Sequence, residues 1–201
     1  LEQGSITVGA NYRFYARQLA QLMARFREKH PGIAFQTIEG TSTTLVTALQ
    51  EHRADLCIIS RREGPHQWLP LRQDQMMVML SPQHPLAADA VPIRRLETES
   101  YIEIYPGRET DNSRILAENG VCPGNRFAGV EDDFSAMAMV EAGLGIALVN
   151  ALIAGTLNGN VVFRPLDPPQ YVEVGIATPP PEIMSPAARR FLNFVRENME
   201  G

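Results

Sequence analysis

Two neighbouring runs decide the fold: Ile38-Glu39-Gly40-Thr41-Ser42-Thr43-Thr44-Leu45-Val46-Thr47-Ala48-Leu49, and then Asp55-Leu56-Cys57-Ile58-Ile59-Ser60. Gly40 permits a sharp exit from a strand, and any of Thr41, Ser42, Thr43 or Thr44 supplies a hydroxyl to cap the helix that follows. Leu45, Val46, Ala48 and Leu49 give that helix an apolar face. The run 55–60 is too short for a buried helix and rich in branched residues, which predicts a strand buried on both faces. A hydroxyl-rich helix N-terminus beside the C-terminal ends of parallel strands is where open α/β sheets hold small polar ligands. On local pattern two readings stand: plain cap residues, or one wall of a ligand site.

Upstream, Ser5–Gly9 reads as a strand. Leu19, Leu22, Met23 and Phe26 follow helical spacing from about Tyr15 to Lys29. His30-Pro31-Gly32 stops that helix, because Pro31 disfavours helical geometry at His30. Ile33–Ile38 is the next strand, so the first third of the chain is a βαβαβ unit. Downstream, a polar loop at 61–65 leads to a strand over Met76–Leu80 and a short helix over Pro92–Leu96. A strand over Tyr101–Tyr105 precedes a helix that Asp111 caps and Gly120 ends. Arg126–Val130 is a strand, and Asp133 or Ser135 opens a helix that stops at Gly143. Gly145–Val149, Val161–Phe163 and Tyr171–Thr178 are strands. Ser185 and Pro186 open the last helix as cap and first turn.

The 201 residues suffice for one domain or two small lobes. A net charge of −5 without a basic stripe makes the chain poorly suited to grip nucleic acid by itself. No apolar run approaches the ~18 residues of a membrane span. Two cysteines do not make a disulfide framework. Cys57 reads as a small buried hydrophobe, Cys122 lies in a loop, and a reducing cytoplasm is the expected compartment. Leu1-Glu2-Gln3-Gly4 has neither an initiator methionine nor a signal-peptide pattern, which suggests a fragment or a processed chain.

Catalytic and metal chemistry find little support. The four histidines are isolated and lack metal-ligand spacing. No GxSxG elbow or P-loop occurs. Gly143-Leu144-Gly145 follows a helix and enters a strand, the reverse of a dinucleotide fingerprint. Glu131-Asp132-Asp133 reads as an acidic first helical turn, with a metal or proton-transfer role as the alternative. The Met76, Met77 and Met79 cluster reads as core. The expectation is a protein that is not an enzyme and needs no cofactor and no metal.

With these landmarks in order, the chain resembles the effector-binding domain of LysR-type transcriptional regulators. The likeness runs through Gly4–Gly9, Phe26-Arg27-Glu28-Lys29-His30-Pro31-Gly32, Gly40-Thr41-Ser42 to Leu49, Asp55–Ile58, and His84-Pro85-Leu86-Ala87. It ends with Val140-Glu141-Ala142-Gly143-Leu144-Gly145-Ile146-Ala147 and the helix from Ser185 to Phe191. The resemblance implies an α/β fold of two Rossmann-like lobes joined by crossing strands, like type 2 periplasmic binding proteins. The first lobe would be 1–75 plus 178–201 and the second 76–177, with an effector in the cleft. DNA binding would belong to an N-terminal helix-turn-helix domain absent from this chain, and the assembly would be a homodimer or homotetramer.

Position by position, the resemblance implies ligand contacts from Asn11 and Arg13 after the first strand, and from Thr41, Ser42 and Thr43 at the hydroxyl turn. Ser60 and Arg61 at the third strand's end join them, with Tyr105, Glu131 and Asp132 from the second lobe. Ala20 and Asn150 stand where the family usually has proline. The function so implied is sensing of a small polar metabolite, anionic or zwitterionic, by a regulator. A solute-binding protein of a transport system is the alternative on the same fold.

Overall fold

The structure, a computed structural model, describes residues 3–199; the expected first-lobe ends at 1–2 and 200–201 lie outside them. In chain order the elements are β1 (Gly4–Ala10), α1 (Ala16–Lys29), β2 (Ile33–Glu39), α2 (Ser42–Gln50), β3 (Leu56–Ser60) and β4 (Gln67–Leu80). There follow β5 (Val91–Pro92), β6 (Ser100–Ile104), α3 (Asp111–Glu118), β7 (Asn125–Val130), α4 (Asp133–Glu141) and β8 (Ala147–Asn150). The chain closes with α5 (Ala151–Ala154), β9 (Val162–Asp167), β10 (Tyr171–Thr178) and α6 (Pro186–Asn198). They form two compact units, Leu1–Gln73 with Glu173–Gly201, and Asp74–Val172. The chain passes between them twice, within β4 and within β10.

In unit 1, β1 pairs in parallel with both β2 and β3, the arrangement a βαβαβ unit requires. β10 then adds antiparallel to β3. All five residues of β3 are buried, as a strand covered on both faces must be. α1 buries Leu19, Leu22 and Phe26. Phe26 meets Phe191 of α6 with ring centroids 5.1 Å apart, and Phe35 of β2 meets Phe191 at 4.9 Å. α2 lies close over the sheet: a Cβ on Gly9 would sit 2.6 Å from Cys57 Sγ and 2.9 Å from Leu45 Cδ2.

In unit 2, β4 pairs antiparallel with β8 and with β9, and β5 runs parallel to β9. β6 and β7 form a parallel pair, and Tyr101 bridges to Ile146. Met76 and Met79 are both core residues.

Several expected boundaries are corrected. The strand expected from Met76 starts at Gln67. The short helix expected over Pro92–Leu96 is a 3-10 helix shifted by one residue, Ile93–Glu97. Thr110, not Asp111, caps α3, because its hydroxyl accepts from the Ser113 N–H in a capping box. Of the two expected starts for α4, Asp133 is the first helical residue, with Asp132 as its cap. The strand expected over Val161–Phe163 runs from Val162 to Asp167, and α5 was not anticipated at all. Both cysteines are free, Cys57 buried and Cys122 exposed. No helix among the described residues is long and apolar enough to cross a membrane.

Candidate functional site

In unit 1 the end of β1, the end of β3 and the first turn of α2 converge on one hydroxyl. Ser42 Oγ accepts from Asn11 Nδ2 at 3.1 Å, from the Ser60 backbone N–H at 3.0 Å and from Ser60 Oγ at 2.9 Å. It does so at 1% exposure. The helix itself is capped one residue earlier: Thr41 Oγ1 accepts from the Thr44 N–H at 3.2 Å. The cap therefore leaves Ser42 and Thr43 for other work.

Arg62 closes the network from beneath, at 7% exposure. It donates from Nε to Thr43 Oγ1 at 3.0 Å. Its Nη1 donates to Ser60 Oγ at 2.8 Å and to the Arg61 carbonyl at 3.0 Å. The sequence reading missed this residue and chose Arg61. Arg61 is exposed and pairs instead with Glu173 at 3.3 Å, a carboxylate that also accepts from Trp68 Nε1. Alternation would have found Arg62: in extended chain, residues two apart share a side, so Ser60 turned inward brings Arg62 with it. Arg13 is exposed at the start of the 3-10 turn Arg13–Tyr15. Nearby His66 is half-buried, and burial pulls its imidazole below the ordinary histidine range, against the backbone hydrogen bond at Arg62.

The structure thus brings together Asn11, Ser42, Thr43 and Ser60, keeps Thr41 as cap, and turns Arg13 and Arg61 outward. In unit 2, Tyr105 adopts a left-handed backbone with φ 56°, which costs a non-glycine residue about 1–2 kcal/mol. Its N–H donates to the Val130 carbonyl at 2.7 Å. The Arg108 guanidinium lies 5.5 Å from the Tyr105 ring centroid and pairs with Glu131 at 2.8 Å. Asp132 accepts from the Ser135 N–H at 2.8 Å and from Ser135 Oγ at 2.7 Å. The acidic pair is therefore a helix cap preceded by an exposed, ion-paired glutamate. Among the described residues no group of three or more His, Cys, Asp or Glu is placed to hold a metal ion.

Two α/β units joined by crossing strands, with hydroxyls and amides gathered at a helix N-terminus, define a small-molecule-binding module of the type 2 periplasmic-binding-protein fold. The chain belongs to the LysR substrate binding domain family, which it matches over residues 1–200. It is the effector-binding domain of a LysR-type transcriptional regulator. It is 28% identical over 200 residues to the uncharacterised HTH-type transcriptional regulator YvbU of Bacillus subtilis (strain 168), covering 98% of this chain and 68% of that protein. The effector binding domain of QuiR in complex with shikimate superposes with a TM-score of 0.78 at 23% identity, covering 98% of each chain. The BenM effector binding domain with its effector benzoate gives 0.74 at 22% identity, covering 98% of this chain and 92% of that one. At these identities the structural likeness is one of fold.

Proposed function

We propose that this domain binds a small anionic or zwitterionic metabolite against the wall made by Asn11, Thr43, Ser42 and Ser60, and that occupancy alters DNA binding or activation by the full-length oligomer. The observation that carries this reading is the convergence on Ser42 Oγ. Its three donors come from two strand ends, the side chain of Asn11 after β1 and the N–H and hydroxyl of Ser60 in β3, an arrangement a plain helix cap does not need. Arg13 and Arg61 are proposed as charges at its rim, and Tyr105 and Glu131 as further contacts. The acids named for the QuiR and BenM domains, shikimate and benzoate, support the anionic class. Regulation follows only insofar as two states of the oligomer bind the metabolite unequally.

Thermal-shift screening of the chain against a library of small metabolites tests the reading. A specific binder at a hundredfold its Kd adds about 2.7 kcal/mol to the unfolding free energy. Asn11→Ala and Thr43→Ala are expected to weaken such a binder about tenfold, the worth of one good hydrogen bond. A saturable binder whose affinity neither substitution changes would place the site elsewhere.

A further inference from the structure

We infer that Phe14 and Arg72 are specificity-determining residues of this site, and that they select an acid carrying a flat unsaturated ring over one carrying a saturated ring. The inference rests on the effector reading above and narrows it.

The loop after β1 holds three aromatic side chains close together, Tyr12, Phe14 and Tyr15. Tyr12 and Tyr15 are 1% and 0% exposed, whereas Phe14 is 47% exposed. Tyr15 meets the Phe14 ring edge to face, with centroids 5.2 Å apart and planes at 87°. That contact orients the ring while about half of the residue stays in water. The Arg72 guanidinium of β4 lies 5.9 Å from the ring centroid. Asn11, which reaches Ser42 of the wall, precedes Phe14 by three residues, a span of at most about 11 Å. A small molecule against the wall is thus within reach of the ring.

Positive charge gathers at the same place. Arg13 adjoins Phe14 in the chain, and both Arg13 and Arg72 are exposed. Elsewhere in unit 1, Arg53 pairs with Glu51 and Arg61 with Glu173, but among the described residues Arg13 and Arg72 have no carboxylate partner. A guanidinium stacked on a ring uses its face and keeps its N–H groups, which point outward in its own plane. Arg72 therefore holds the Phe14 ring and still presents an edge that a carboxylate can accept from. An aromatic ring laid on the exposed part of Phe14 gains an aromatic pair beyond the apolar area it buries; a saturated ring gains the area alone. The acid's charge is met by Arg72 or Arg13 and its ring by Phe14. A singly exposed phenylalanine without flanking cations would carry no such meaning.

Calorimetric titration of the chain with two matched pairs of acids is the test: phenylacetate against cyclohexylacetate, and 3-phenylpropanoate against 3-cyclohexylpropanoate. Within a pair the charge and the carbon count are equal. Wild type is expected to bind the aromatic member more tightly, although the saturated ring is the more apolar. Phe14→Leu is expected to lower the aromatic-to-saturated ratio about fivefold, and Phe14→Tyr to keep it. Arg72→Gln is expected to weaken all four acids about threefold, because it removes a charge that each of them meets. A wild-type ratio of one or less overturns the inference, as does a ratio unchanged in Phe14→Leu or lost in Phe14→Tyr. Should Phe14→Leu fail to fold, the wild-type ratio and Arg72→Gln decide, and unweakened binding in Arg72→Gln overturns the role of that residue. In each of these cases the effector reading stands if Asn11→Ala and Thr43→Ala still weaken the acids. Absence of binding by all four acids overturns the inference, and the effector reading falls with it only if the metabolite library also yields no binder.

Discussion

Cys57 lies in β3 with no exposed surface, its thiol 3.8 Å from the Leu45 carbonyl, and burial pushes its pKa from 9.0 up to about 12. In the unfolded chain the same thiol ionises near its ordinary value. As pH climbs through that range the unfolded state loses a proton that the folded state keeps, so stability falls with rising pH. The excess stability of wild type over Cys57→Ala is accordingly expected to shrink between about pH 8 and about pH 11 in urea titrations. A difference that stays flat or grows would contradict the assigned burial. At this scale the sequence was half legible. The hydroxyls at Thr41–Thr43 and the buried Cys57 could be read from local pattern, whereas the choice between Arg61 and Arg62 needed the strand's facing. Tyr105 was legible as a strand end but not as a strained one. Its left-handed backbone accompanies a bond to Val130, on a strand 25 residues distant in the chain.

Helices and strands were legible where their signals are local and illegible where a distant residue supplies the missing group. Ser185 with Pro186 announces α6, and its hydroxyl does accept from the Ala188 N–H. α5 has no such announcement. Its preceding residue, Asn150, makes no capping hydrogen bond, and the Leu152 N–H donates instead to Asp74, buried within β4. A carboxylate 78 residues away from the amide it satisfies leaves no mark in a local window. A second consequence of elements packed closely is testable at Gly9. Gly9→Ala inserts a methyl between Cys57 and Leu45, and overpacking of this kind costs about 1–3 kcal/mol. The urea midpoint should fall by a corresponding amount, and combining Gly9→Ala with Cys57→Ala should recover part of it. An unchanged midpoint would mean that α2 lies farther from β1 than the structure has it.

For the whole molecule, the order of motifs along the chain was more informative than any one of them. The hydroxyl turn, the buried run 55–60 and Gly143-Leu144-Gly145 are each common, and only their succession marked the family. Composition was silent about individual side-chain orientations, such as the buried Arg62 beside the exposed, ion-paired Arg61. Unit 2 is one uninterrupted stretch, Asp74–Val172, while unit 1 is built from both ends of the chain. β3 obtains its neighbour β10, and Phe26 and Phe35 obtain Phe191, only from residues beyond 172. A chain ended after Val172 is therefore expected to yield, under limited proteolysis and mass mapping, a resistant core within 74–172 and fragments from 1–73. Equal resistance of the two segments would show that unit 1 closes without its C-terminal part. Of these two units, the one whose synthesis begins earlier is thus the later to be completed: the hydroxyl wall gains its neighbours β10 and α6 only after the inserted unit has had time to fold.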